Sequence, residues 1–168
     1  FDEFGIKVVT GQRFLGGFIG SESNLNNWLQ EKVLGWVNAL KKLSLVAVSE
    51  PQAAYVALTK SVQNEWLYIQ RVVGGSESAF SPLKEVIQDH FLPNLCGFDL
   101  STNEIDLMCR PSRLLGMGIN DPLKTAADQF SVSKMATSNL AEAILQGIDL
   151  DVNEHLNSLI KGARLEKT

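Results

Sequence analysis

The sequence predicts a mainly α-helical protein, a helical bundle preceded by one short N-terminal β-hairpin. Three observations carry that prediction. Apolar residues recur at steps of three and four from Ser23 almost to the end of the chain. Helix start and stop residues punctuate this periodicity at intervals. The only strong strand signal lies near the front. At 168 residues, 45% of them hydrophobic, the chain is of a length for one domain with its own core. It divides into a hairpin over 1–22 and a helical region over 23–168.

The hairpin is expected to pair Ile6-Lys7-Val8-Val9 with Phe14 to Ile19 across a reversal at Thr10-Gly11-Gln12. Its second arm carries two adjacent glycines, Gly16 and Gly17, flanked by Phe14 and Phe18. Glycines inside a strand mark a bulge or a place where another backbone or a ligand comes close, so this arm is expected to bare its backbone to a partner. A first helix follows, with Leu25, Leu29, Val33, Trp36, Leu40 and Leu43 on one face, ending near Ala47 to Ser49. Ser49 as cap, Pro51 in the first turn and Gln52 closing a capping box open the second. Its inner face is Ala54, Leu58, Val62, Trp66, Ile69 and Val73, and Gly74-Gly75 stops it. The short link makes these two helices antiparallel neighbours.

Ser81-Pro82 starts a third helix, lined inside by Leu83, Val86, Ile87 and Phe91 and broken at Pro93. Ser101-Thr102-Asn103-Glu104 is a capping box for a short helix through Leu107 and Met108. A loop from Arg110 to Ile119 carries Gly116 and Gly118. Asp121 as cap and Pro122 at the first helical position launch a long helix to about Gln146, stopped by Gly147. A last helix runs from about Val152 to Arg164 with Leu156, Leu159 and Ile160 on one side, and the end from Lys161 to Thr168 is expected to fray.

Composition narrows the chemistry. The formal net charge is -4, from 15 Lys and Arg against 19 Asp and Glu, so any nucleic-acid surface must be local. Cys96 and Cys109 are too few for a disulfide framework or a zinc site and read as reduced core thiols, which fits an intracellular setting. The longest apolar runs, such as Ala53 to Leu58, are far short of the ~20 residues that span a bilayer, so no membrane partner is expected. The sequence opens on Phe1 rather than Met and is expected to be a segment of something longer.

Catalytic patterns are absent. No phosphate-binding glycine loop, paired histidines at metal spacing or activated cysteine is present, so no catalytic residue and no metal ligand is assigned. Asp149-Leu150-Asp151 is the one close aspartate pair, and its place between two helices favours capping over cation binding. Gly116-Met117-Gly118 lacks the preceding strand and third glycine of a dinucleotide loop. The cations are more informative. Lys32, Lys41 and Lys42 on the first helix, Lys60 and Arg71 on the second, and Arg110 and Arg113 in the loop are candidates for a basic surface just behind the hairpin. Trp36 and Trp66 fall on apolar stripes and belong to the core, whereas Trp28 lies off its stripe and is the candidate for an exposed base-stacking contact.

Several short motifs recur in a meaningful order. These are Arg13-Phe14-Leu15-Gly16-Gly17; then Lys32-Val33, Trp36-Val37 and Leu40; Pro51-Gln52-Ala53-Ala54-Tyr55; Glu65-Trp66-Leu67-Tyr68 with Arg71; and Pro111, Arg113, Gly116, Gly118 and Ile119. From about Gly5 to Leu145 they resemble the C-terminal part of reverse transcriptases encoded by eukaryotic retroelements, the region after the palm. The resemblance implies that Arg13 to Gly17 is the primer grip and the helices are a thumb-like region. Together they would hold a primer–template duplex by its backbone, without reading sequence. It also implies partners in the fingers and palm of the same polypeptide, where two Mg ions and a pair of aspartates would carry phosphoryl transfer. Two departures stand out. The tyrosine-x-aspartate-aspartate motif has no match here, so this chain alone should be inactive, and Leu115 occupies a position where the family often has glycine. A helical protein-interaction module without nucleic-acid binding, favoured by the acidic net charge, and a remnant of a decayed element are the competing readings.

Overall fold

The structure, a computed structural model, describes residues 8–74 and 77–165. Two strands, β1 (Gly11–Phe14) and β2 (Gly17–Gly20), pair antiparallel in the register Gly11 with Gly20 through Phe14 with Gly17. Helices α1 (Glu22–Ser49), α2 (Pro51–Ala57) and α3 (Gln63–Val72) follow, α2 and α3 joined without a break by a π turn at Leu58–Val62. Then come α4 (Ser81–Val86), a π turn at Ile87–Phe91, α5 (Leu92–Cys96), α6 (Thr102–Met108), α7 (Pro122–Gln146) and α8 (Val152–Leu165). The predicted class, a helical bundle behind a two-stranded hairpin, is what the chain adopts.

The hairpin is shifted from its expected place. The reversal sits at Leu15-Gly16, where φ is +46° and +83°. Positive φ at both central positions is the type I′ turn, whose twist matches that of the flanking strands. Arg13 to Gly20 is therefore the core of the hairpin rather than its second arm. Thr10, expected in the turn, instead anchors the hairpin to α1: its carbonyl accepts the Ser21 N–H at 2.8 Å and its hydroxyl the Asn24 amide at 2.9 Å. Val8 and Val9 are not in a strand, and Ile6 and Lys7 lie outside the described residues.

Packing radiates from α1. Its stripe of Leu29, Val33, Trp36, Val37 and Leu40 is buried against α2, α4 and α5, with Leu58, Trp66, Phe80, Leu83 and Phe91 completing the centre. Trp36 meets Trp66 edge to face, ring centroids 6.4 Å apart, and donates its indole N–H to Glu65 at 2.8 Å. Such an aromatic pair adds about 1 kcal/mol beyond the area it buries. Buried Ser44 ties α1 to α5 by accepting the Asn94 amide on its carbonyl at 3.0 Å.

Three local expectations are corrected. Ser49 ends α1 instead of capping α2, its hydroxyl reaching back to the Val46 carbonyl, and no capping box with Gln52 forms. The π turn at Leu58–Val62 rotates the apolar stripe, so that Gln63 is buried where Val62 is only half-buried. Pro93 does not break the helix: it falls in the first turn of α5, directly behind the π turn at Ile87–Phe91. An expanded turn re-routes backbone hydrogen bonds at the place where a ring without an N–H would otherwise interrupt them. The chain stops instead at Gly97.

At α6, α7 and α8 the punctuation is as predicted, whereas α3 ends on Val73 in extended backbone, Gly74 is not left-handed and Gly75 lies outside the described residues. Ser101 and Glu104 form the capping box of α6, with Glu104 accepting the Ser101 N–H at 2.8 Å. Asp121 caps α7 by accepting the N–H groups of Leu123 and Lys124, and it also pairs with Lys84 at 3.2 Å. Asp151 caps α8 through Asn153 and Glu154, which explains the aspartate pair as turn chemistry. Cys96 and Cys109 are free and half-buried. Burial pushes the Cys109 thiol up to about 11, the nearby Asp121 charge adding to the effect, and burial raises Cys96 as well. Neither is a thiolate at neutral pH.

Candidate nucleic-acid interface

The two glycines of the hairpin are covered by the chain itself. A Cβ at Gly16 would stand 3.0 Å from the Tyr68 ring, and one at Gly17 would stand 3.4 Å from a Val72 methyl. Tyr68 donates its hydroxyl hydrogen to the carbonyl of Leu15. The small residues thus let the hairpin lie down on α3, and the partner that approaches their backbone is a helix of this protein. Trp28 differs from expectation in the same way: it is half-buried and stacks on Phe18, ring centroids 5.6 Å apart. Phe14 and Leu15 remain exposed at the hairpin's outer edge.

Docking the hairpin creates a groove between it, α1 and α3. Arg13 of β1 and Lys32 of α1 both line it, with Trp28, Asn64 and Tyr68 beside them. Two carboxylates, Glu31 and Glu65, lie along the same walls, Glu65 already engaged by Trp36. Sequence alone does not pair Arg13 with Lys32. It takes the Tyr68 bond and the Gly16–Tyr68 contact to bring them to one place.

On the other side of α3 lies the Arg110 loop. At about 100° per residue, Glu65 and Val72 stand on one flank of Tyr68 while Leu67 and Arg71 stand on the opposite flank. The hairpin occupies the first flank. Arg110, Pro111 and Leu114 border the second, together with Lys124, Asp106 and Asp121. Arg71 there donates to Gln129 at 2.8 Å, and Lys124 faces Asp106 at 3.5 Å. The exposed strip of α3 thus runs between the hairpin and the loop, with Asn64, Tyr68 and Arg71 on it.

The loop is a fastener as well as a wall. Tyr55 donates its hydroxyl to the Met117 carbonyl at 2.6 Å, and Gln63 bonds the Gly118 carbonyl and the Asn120 N–H. Gly116 admits no side chain, since a Cβ would lie 1.9 Å from the Arg110 carbonyl oxygen. Leu115 beside it adopts φ +64°, a conformation costing a non-glycine residue about 1–2 kcal/mol.

The remaining candidates are dispersed. Lys41 follows Lys32 by nine positions, about half a turn round the helix, so it points to the opposite face of α1. Lys42 is exposed beyond the groove, Lys60 is exposed on the π turn, and Arg113 is exposed on the short turn Ser112–Leu114. Arg13 with Lys32, and Arg71 with Arg110, are the cation pairs the fold assembles. Tyr68, Tyr55 and Gln63 organise both walls, and sequence reasoning missed their roles. The one signal available was a polar-tipped aromatic off the apolar stripe of α3. Among the described residues no group of three or more His, Cys, Asp or Glu is placed to hold a metal ion, and no described helix is long and apolar enough to cross a membrane. No protein-family model matches the chain, and neither a curated protein nor a solved structure matches it.

Proposed function

We propose that the chain is the primer-grip and thumb-like part of a reverse transcriptase, and that its groove holds the sugar-phosphate backbone of a primer–template duplex. The observation that carries this reading is the meeting of Arg13 and Lys32, from the hairpin and α1, over the polar strip of Asn64 and Tyr68. Two cations in one groove suit phosphates, and contacts to phosphate position a duplex without reading its sequence, as a polymerase requires. Leu115 adds support: its left-handed backbone is the conformation glycine adopts freely, at a position where the resembled family often has glycine. The paired aspartates and two Mg ions of nucleotidyl transfer belong to the palm of the parent polypeptide in this reading, and this chain positions rather than catalyses.

The test is fluorescence anisotropy of a labelled RNA–DNA hybrid against the full chain at low salt. Binding should be weak, independent of sequence and steeply salt-dependent, each phosphate contact adding roughly 0.9 to the log–log slope. Arg13→Glu with Lys32→Glu should weaken it at least about tenfold and flatten the slope by about 2. Reversing Lys41 and Lys42, which lie outside the groove, should do less. Equal loss from both double variants would dissolve the groove into a diffuse charge effect, and no binding at all by the unmodified chain would favour the protein-interaction reading.

A further inference from the structure

Across α3 from the groove lies a second pocket, at the seam between α3, the start of α7 and the Arg110 loop. Its volume is about 630 Å³, room for a small organic ligand rather than a lone ion. Leu67 and Arg71 stand one turn apart on the flank of α3 that borders it, and Asp121, Thr125 and Gln129 recur at every fourth position from the cap of α7 onward. The loop closes the remaining side with Arg110, Pro111 and Leu114. No residue of the hairpin lines it.

Both arginines are held from behind. Gln129, itself nine-tenths buried, accepts the Arg71 Nε–H at 2.8 Å and so ties that guanidinium to the wall of α7. Arg110 is held through its backbone. Its N–H donates to the Leu107 carbonyl at 3.1 Å, and its carbonyl accepts the Gly118 N–H at 2.9 Å. Gly116 lies so close to the same carbonyl that no side chain fits there. The two glycines of the loop thus acquire a use, which is to fix Arg110 at the pocket.

Charge sets the class of ligand. Each carboxylate lining the pocket has its own lysine: Asp106 faces Lys124 at 3.5 Å, and Asp121 pairs with Lys84 at 3.2 Å. With the carboxylates answered, the two guanidiniums give the pocket its sign. The start of α7 adds no anion donor, because Pro122 has no N–H and Asp121 already accepts those of Leu123, Lys124 and Thr125. A carboxylate fills one guanidinium fork with its two oxygens, whereas a phosphate has oxygens for two. Leu67, Pro111 and Leu114 offer an apolar wall to the rest of the ligand. We infer that this pocket binds the phosphate group of a nucleotide, with Arg71 and Arg110 on its oxygens and the nucleoside against Leu67 and Leu114. Two sources carry that group, a free nucleotide and a strand of nucleic acid, and the experiment separates them.

The probe is AMP, titrated calorimetrically into the full chain at low salt, with adenosine as the control that lacks the phosphate. AMP should bind at least about tenfold tighter than adenosine. Arg71→Ala with Arg110→Ala should weaken AMP at least about tenfold, and Arg110→Ala alone, a change at an exposed side chain, at least about threefold. Arg13→Glu with Lys32→Glu, in the groove, should leave AMP within about twofold, so this site and the groove succeed or fail separately. Circular dichroism checks that each variant keeps its helices. The RNA–DNA hybrid identifies the source. A salt slope flatter by about 2 in the Arg71→Ala, Arg110→Ala variant assigns the pocket to a strand, and an unchanged slope with AMP binding lost assigns it to a free nucleotide. Equal binding of AMP and adenosine, or undiminished AMP binding in the Arg71→Ala, Arg110→Ala variant, overturns the proposal. So does loss of AMP binding in the Arg13→Glu, Lys32→Glu variant, which would place the nucleotide in the groove.

Discussion

Leu15 and Leu115 stand in left-handed backbone conformations with their side chains 80% and 89% exposed. Glycine or asparagine would meet the backbone demand at lower cost, and neither leucine gains compensating burial. Replacing Leu115 by Asn should therefore stabilise the fold by up to about 1 kcal/mol, read from urea unfolding midpoints at constant m-value. Tyr68 bears on the other leucine. Its Tyr68→Phe variant keeps the ring against Gly16 but removes the hydroxyl from the Leu15 carbonyl. The expected loss is about 1 kcal/mol, appearing as faster amide exchange confined to the hairpin, with the exchange of α1 core amides unchanged. Of these features the sequence displays the glycines alone. The left-handed leucines leave no trace in it, because nothing about a leucine reports its φ.

At the scale of elements, capping chemistry was the most legible signal. Ser101 with Glu104, Asp121 with Pro122, and Gly147 each stand where the sequence places them, because a cap is a contract between residues two or three positions apart. The π turns were not legible. Leu58–Val62 carries no residue that marks an expanded turn, and the sign of the one at Ile87–Phe91 is Pro93 behind it, which by itself reads as a helix break. The hairpin turn was misplaced for a related reason: Thr10-Gly11-Gln12 offers plausible turn residues, and only the docking on α3 selects Leu15-Gly16. The α6 box yields a pH prediction. Hydrogen bonds from Ser101 hold the Glu104 carboxyl below its ordinary 4.5. A carboxylate with a depressed folded value contributes its stability above the unfolded value and loses it as pH falls through the folded one. The stability gap between the unmodified chain and Glu104→Gln should therefore be full at pH 7 and close on acidification below about 4.5, followed by urea unfolding across that range.

For the whole molecule, fold class and helix order were readable because periodicity is a property of contiguous residues. The candidate groove was readable only as a list of cations. Arg13 and Lys32 belong to different elements and meet through Tyr68, while Lys32 and Lys41 share a helix and do not meet. Proximity in sequence was thus a poor guide to a shared surface. The acidic net charge also acquires a distribution: the two cation pairs flank α3, and a cation-free span occupies the far part of the α7–α8 pair.

The Phe18–Trp28 stack has a practical consequence. Trp66 is fully buried and Trp36 shows only an edge to the groove, so Trp28 is the most open of the three indoles, and it sits at the seam where the hairpin meets α1. Lifting the hairpin would unstack that ring and open it to a dissolved quencher such as iodide, leaving the fully buried Trp66 out of its reach. The protein is thus wired with its own optical gauge of hairpin docking, and no label need be attached to watch the groove assemble.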